Sequence, residues 1–537
     1  MVSWLSNGLL AAAGIATHLG YFNRGEHHLY STIYLQIFFA VFATALAFAV
    51  HVDGEPLAQA IAKVASSAGF YLGGLYTSLL VYRTVFHPLN KFPGPFGFRI
   101  SNLWFSLQLG NGDGHKKLLK LHEKYGDFLR TGSSDLSIAN PNAIAVVYGT
   151  KSKCTRAAWY DNLYPMVSLQ TVRQKNVHSR RRRLWSTAFS DKALRGYETR
   201  IMGYQDRLLA QLATIGRQPV NVTKWFNLYS FDIMGDLAFA TSFNMLESTE
   251  EHFAVKVLDK GLEPVGWMLP TWMFRLLVAI PGLANDFVRF VKYCNQRLDE
   301  RMKMTVNTPD VMATLLGPWK EKTPTGTGLS DLQGDCQLII VAGSDTTSAT
   351  LTHLFYELAK NPDHVLKLRD ELASHRASGS DLSHQQIKNL DHLNAVINET
   401  LRLYPVAPMG LARLTPPEGI EIEETYIPGN MTVSCPQYVI GRSENIYADA
   451  KAFVPERWYS KPEMIKDKSA FAPFSTGTYD CIGKQLALLS LRTVIAKLIM
   501  DFDVSFAPGD NGEYFAKNTT QHFTWGLAEL NLVLTKR

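Results

Sequence analysis

The first 82 residues of this 537-residue chain are nearly without charge: Arg24, Glu26, Asp53, Glu55 and Lys63 are the only Asp, Glu, Lys or Arg there, about 6% of the positions. The other 455 residues carry 97, with a net charge of +7 against −1 in the first part. A water-soluble domain is about one-quarter charged, so the two parts are expected in different solvents. Cysteine is also scarce. The five, at 154, 294, 336, 435 and 481, are odd in number and widely spaced, with no C-x-x-C pair, which argues against a disulfide scaffold and a zinc ribbon. No strand is followed by G-x-G-x-x-G, so no dinucleotide fingerprint is present. An overall net charge of +6 is too modest to suggest a nucleic-acid partner, and 11% aromatic residues exclude a disordered chain.

What the amino-terminal region does contain is apolar runs. Residues 29–50 and 64–82 carry no charge, and at ~1.5 Å per residue each is close to the reach of a ~30 Å hydrocarbon layer. Residues 5–22 form a weaker third run, diluted by Asn7 and His18. Gly69, Gly73 and Gly74 are candidate helix-contact positions. The repetition over 80 residues and the lack of a basic start do not suit a cleaved signal peptide. Loop 51–56 has Asp53 and Glu55 but no Lys or Arg, whereas Arg83, Lys91 and Arg99 follow the last run with no acid before Asp113. That asymmetry places residue 83 onward in the cytosol. Residues 1–82 are therefore expected to be an anchor of two or three transmembrane helices. Residues 83–99, with Phe92-Pro93-Gly94-Pro95-Phe96, form a stiff hinge. Residues 100–537 form a body lying against membrane lipid.

The body reads as mainly α with a smaller β region. Residues 115–125 suit an amphipathic helix ending at Gly126, and 135–147 suit strands turned at Asn140-Pro141. Helical patterns dominate 176–404, prolines break short strands over 405–460, and helix returns at 482–501. A body of ~440 residues without an internal linker exceeds a usual single domain, so a bound cofactor is expected to organise it.

Three motifs carry chemistry. In Phe474-Ser-Thr-Gly477-Thr-Tyr479-Asp-Cys481-Ile-Gly483, a glycine-bearing loop delivers a cysteine to a helix start, where free N–H groups and the helix dipole favour a thiolate. At this point the chain resembles the cytochrome P-450 superfamily, whose loop reads Phe-x-x-Gly-x-Arg-x-Cys-x-Gly. Phe474, Gly477, Cys481 and Gly483 match, and Tyr479 stands where the family usually has arginine. The resemblance implies haem b with Cys481 as axial iron ligand. With Tyr479 uncharged, other cations are expected at the haem propionates, with His178 and Arg182 (i,i+4 on one helix face) and Arg413 as candidates. Outward members of the 180–183 arginine run are expected to meet an acidic electron-transfer partner.

The second motif is Ala342-Gly343-Ser344-Asp345-Thr346-Thr347, inside a helical run over 331–360. The resemblance gives Thr346 a part in oxygen activation and Asp345 one in proton relay, with Gly343 leaving room for dioxygen and substrate. The third is Glu399-x-x-Arg402, followed by Arg457 in Pro-Glu-Arg-Trp. The resemblance joins these three into a buried structural triad. It covers about residues 90–530. It implies a monooxygenase on the endoplasmic reticulum membrane, fed by O2 and by a separate NADPH-cytochrome P-450 reductase. Its substrate would be a bulky lipophilic small molecule, as in fungal secondary metabolism. Segments 159–169, 266–272 and 409–411 are expected to line the pocket. An isomerase or dehydratase using the same cysteine, a haem-binding sensor or carrier, and a membrane scaffold remain as alternatives, although Asp345 and Thr346 would have no evident purpose in them.

Overall fold

The computed structural model describes residues 2–110, 112–304, 309–319, 326–376 and 382–537. Three helices come first: α1 (Val2–Thr17), continued by a wider turn to Phe22, α2 (Ser31–His51) and α3 (Leu57–Val81). Among the described residues, His28–His51 and Leu57–Phe86 are long and apolar enough to cross a bilayer. Their apolar side chains are largely exposed, unlike those of a core helix. α1 runs beside α3 in the same direction. Ala11 lies against Gly74 and Gly14 against Tyr71 and Leu75, and His18 Nδ1 is 2.9 Å from Ser78 Oγ. A Cβ on Gly14 or Gly74 would strike the opposite backbone, whereas Gly69 and Gly73 face open space. Close approach of two apolar helices thus falls to Gly14 and Gly74.

The body is mostly helical, with four small sheets among the described residues. The largest has five strands in the order Phe128–Arg130, Asp135–Ile138, Thr432–Ser434, Arg413–Leu414, Thr155–Arg156. The expected strands at 135–147 are corrected: only Asp135–Ile138 is extended, and Asn142–Tyr148 is a helix. Pro141 suits a helix start, and Ala143, Ile144 and Val147 turn inward at helical spacing.

Two helices build the core around the site. Lys484–Asp501 is buried almost all round, the mark of a central helix. Gly326–Lys360 buries a polar run by turning its hydroxyls on itself. Thr346, Thr347, Thr350 and Thr352 each donate to the carbonyl four residues earlier, at 2.7–3.0 Å.

Behind the cysteine loop, Glu399, Arg402 and Arg457 meet with their side chains 0% exposed. Arg402 donates to both Glu399 oxygens, at 2.7 and 2.8 Å, and Arg457 Nε donates to Oε1 at 3.0 Å. Trp458 Nε1 (3.0 Å) and the Val454 N–H (2.8 Å) complete the carboxylate's partners. The arginines also donate to carbonyls of Ala448, Ala450 and Ala452. One helix, Asp391–Leu403, thereby fixes the irregular chain over 448–458. Nearby, His364, His392 and Glu456 bring three ligand-type atoms within 4.8 Å. Lys367 Nζ is 2.5 Å from Glu456 Oε1, so that carboxylate already has its counter-ion, and the group is an ion pair flanked by imidazoles.

Candidate active site

The loop 474–483 is held by backbone. Gly477 has φ +73°, and a Cβ there would strike Tyr148 and Gly149, so glycine is required twice over. The Cys481 N–H donates to Phe474 O at 2.8 Å, and Gly483 caps the helix Lys484–Asp501. Cys481 is the exposed one of the five cysteines and lines a cavity of ≈ 470 Å³. Burial pushes the Cys481 thiol up. The N–H groups of Gly483 and Lys484 pull it down, as a helix start should, and with Arg182 they do not reverse the shift. A positive charge on Sγ itself is what would ionise it. A Cβ on Gly483 would lie 3.9 Å from Sγ, an ordinary contact. This glycine therefore serves through its N–H rather than its missing side chain.

One edge of the cavity carries a cationic cluster. Thr155–Arg156 pairs antiparallel with Arg413–Leu414, and the register sets Arg156 opposite Arg413, so both side chains leave on one face. Like charges so placed repel, and three tyrosines stand among them. The Tyr479 ring lies 4.3 Å from the Arg156 guanidinium and 5.1 Å from that of Arg413. Tyr148 and Tyr160 flank Arg413 at 5.0 and 5.9 Å, and the Tyr160 hydroxyl accepts from Arg413 at 3.0 Å. His178 meets the Tyr479 ring edge-on at 4.6 Å. Arg156 Nε, Arg413 Nε, His178 Nδ1 and Tyr479 Oη are buried without a hydrogen-bond partner. Such atoms cost stability unless something binds them.

Two of the sequence candidates gain their surroundings here. Burial first, and then Arg156 and Arg182, lower the His178 pKa to about 3. The uncharged ring offers an N–H or a lone pair. Arg182 lines the cavity, but its charge is taken by Asp480, whose Oδ1 is 2.5 Å from Nη2. Arg181 turns inward to Asp331 (3.0 Å) and Asp335 (2.7 Å), which leaves Arg180 and Arg183 exposed.

The long helix Gly326–Lys360 supplies Gly343, Asp345 and Thr346 to the same cavity. Burial pushes the Asp345 carboxyl up to about 6, against a hydrogen bond that Thr524 Oγ1 donates to Oδ2. Thr346 Oγ1 donates to Ala342 O at 2.7 Å. Gly343 lines the cavity, and a Cβ there would lie 2.5 Å from the Met234 thioether. Of the segments expected to line the pocket, 159–169 does so through Trp159, Leu163 and Met166, and 409–411 through Leu411 alone. Segment 266–272 does not, and Val265 and Phe274 on either side of it take its place.

The cytochrome P450 family profile matches residues 93–525. The chain belongs to the cytochrome P450 family. A cytochrome P450 monooxygenase (notG') of Aspergillus versicolor is 46% identical over 530 residues, 98% of this chain and 97% of that protein. The tryprostatin B 6-hydroxylase of Aspergillus fumigatus is 44% identical over 547 residues, 100% of this chain and 98% of that protein. The crystal structure of a cytochrome P450DA haem domain shares the fold at a TM-score of 0.67 and 16% identity, covering 79% of this chain and 94% of that one. This chain is a P450 monooxygenase.

Membership implies haem with a cysteine thiolate on its iron, and the residues of this P450 fit such a group. An accessible thiol and a set of partner-starved donors border one cavity. The first suits iron, and the second suits the two anionic propionates. Arg156 escaped the sequence reading because it stands alone in the chain. Its signal is the register against Arg413, which exists only once the strands pair. Thr524 was missed because 179 positions separate it from Asp345 in the chain.

Proposed function

We propose that this P450 is an anchored monooxygenase of the endoplasmic reticulum. In this reading residues 1–82 are the anchor, 83–99 the hinge, and 100–537 a catalytic body facing the cytosol. The parallel packing of α1 on α3, with α2 returning between them, supports three crossings rather than two. Exposed Trp104, Leu107, Trp272 and Ile280 on the body would rest in lipid. Haem b, when bound, supplies activation of dioxygen, with electrons from NADPH-cytochrome P-450 reductase. Cys481 would hold its iron, with Phe474, Gly477 and Gly483 shaping the loop. Arg156 and Arg413 would bind its propionates, with His178 donating one hydrogen bond. Arg182 would act only through Asp480. Exposed Arg180 and Arg183 are available to an acidic reductase surface.

Asp345 and Thr346 would serve proton delivery. Asp345 Oδ2 accepts from Thr524 Oγ1 and, with its pKa near 6, can take up and release a proton near neutral pH. The Thr346 hydroxyl can exchange its bond to Ala342 O for one to a molecule in the cavity. The rest of the wall is apolar and aromatic, and Trp159 and Phe523 stack there at 4.8 Å between centroids. Such a wall suits hydroxylation of a bulky lipophilic molecule of the kind made in fungal secondary metabolism. Tryprostatin B, named in two relatives, is the first substrate to try.

The observation that carries this reading is the meeting, in one cavity, of the Cys481 thiol, the Asp345–Thr346 pair and the cationic edge. Carbon monoxide bound to the reduced protein should give the Soret shift of a thiolate ligand, and Cys481→Ser should abolish it. Retention of the shift in that variant refutes the assignment. Product formation should require both the reductase and O2; product formed without them would favour an isomerase or dehydratase.

A further inference from the structure

We propose that the turn joining α1 to α2, residues 23–30, is part of the wall of the active-site entrance and sets the passage of bulky lipophilic molecules. The proposal rests on the reading above that this cavity receives haem and an apolar substrate. A tether needs no contact with the site it tethers, yet this turn reaches the cavity lip through polar side chains. His28 Nε2 lies 2.8 Å from Asp161 Oδ2, and Glu26 Oε2 lies 2.7 Å from Arg173 Nη1. Arg173 Nη1 also donates to Asp161 Oδ2 at 2.6 Å, and its Nε donates to the Arg156 carbonyl at 2.9 Å. One chain of bonds therefore runs from the anchor turn, through Arg173, to the strand that carries the cationic edge.

The side chains of His28, Asp161 and Arg173 are 11%, 15% and 19% exposed, so their contacts are shielded from the screening that weakens surface pairs, whereas Glu26, at 38%, is open to it. Burial alone would raise the Asp161 carboxyl, but the bonds from His28 and Arg173 hold it below its ordinary value. Asp161 ends the turn Ala158–Asp161, and Trp159, Tyr160, Asn162 and Leu163 line the cavity. Arg275 Nη1 holds the same segment through the carbonyls of Asp161 (3.2 Å) and Tyr164 (2.8 Å). Its helix, Thr271–Ala279, places Phe274 in the cavity wall and packs against α2, the His28–Tyr30 turn and the Ala158–Asp161 turn. Two pocket-lining segments are thus seated on the anchor. A molecule leaving the bilayer beside α2 meets them first, so Glu26 and His28 are positioning residues for the entrance.

The test uses the full-length haem-loaded protein in phosphatidylcholine vesicles and two iron-binding probes read by their Soret shifts, imidazole and 1-dodecylimidazole. Glu26→Gln, His28→Leu and the double variant are compared with wild type. The association rate constant of 1-dodecylimidazole, followed by stopped flow, should change by about threefold to tenfold in the double variant. That of imidazole, which needs no wide entrance, should change by less than about twofold. Glu26→Arg, which sets two cations together, should exceed Glu26→Gln. No change for the long probe, or equal changes for both, overturns the proposal, because the turn would then be inert or would act on the site as a whole. Absence of a Soret shift with either probe in wild type overturns the haem reading itself.

Discussion

Behind the cysteine loop and at the cavity edge, this P450 buries charge in two opposite ways. Glu399, Arg402 and Arg457 are enclosed, and every charged atom has a partner. Arg156 and Arg413 are nearly as enclosed, at 5% and 1% exposure, yet each leaves Nε unbonded. A closed network returns its desolvation cost at once and fixes the fold, whereas an open one returns it only when an anion arrives. The same chemistry is structural in one place and receptive in the other, and counting partners separates them.

The largest expected effect strikes the closed network. Glu399→Gln should strand two buried guanidinium groups and cost about 3–5 kcal/mol. Urea unfolding should show this as a lower midpoint, with little haem-bearing protein recovered. Arg413→Met should behave differently. A buried cation replaced by an apolar side chain of similar length changes stability little, so the haem-free protein should unfold within about 1 kcal/mol of wild type. Haem retention should weaken by about 10- to 100-fold, the worth of a charge-assisted hydrogen bond. Transfer of haem to apomyoglobin measures it. Equal losses of stability from the two substitutions would erase the distinction.

Asp345 lies between the two cases, with one partner and a raised pKa. Its folded value of about 6 lies above the ordinary 3.8. Its contribution to stability is therefore full below about pH 4 and lost as pH rises through about 6. Asp345→Asn should stabilise the protein by about 1–3 kcal/mol at pH 8 and by nothing at pH 4, while turnover falls about 10²-fold or more. Thermal unfolding and rate profiles against pH check both. The smallest effect belongs to Tyr479→Phe. It keeps the ring between Arg156 and Arg413 and removes a hydroxyl without a partner. Haem content should stay near wild type. Tyr479→Ala, which removes the platform, should cost about 1–2 kcal/mol of haem binding.

The family and much of the site are legible in the sequence because they are local. A cysteine at a helix start, an acid and hydroxyls within a helix, and Glu-x-x-Arg are runs whose members are neighbours in the chain as well as in space. The sparse charge of residues 1–82 similarly marks the apolar helices, since the solvent acts on each segment by composition. The partners of these runs are not legible. Arg156 meets Arg413 across 256 intervening residues, Thr524 reaches Asp345, and Trp458 completes the Glu399 set. His178 and Arg182 remain candidates whose surroundings only the fold reveals. Their spacing sets them toward one face, while burial lowers the pKa of the first and Asp480 pairs with the second.

By itself, then, the sequence determined the kind of chemistry, the order of the motifs and the division between apolar anchor and charged body. Only the tertiary structure decided which cations are free to bind, that burial raises the Asp345 carboxyl, and that the anchor turn touches the cavity lip. Charge and hydrogen-bond capacity belong to residues, but whether they are already spent depends on what the fold brings within about 3 Å of them.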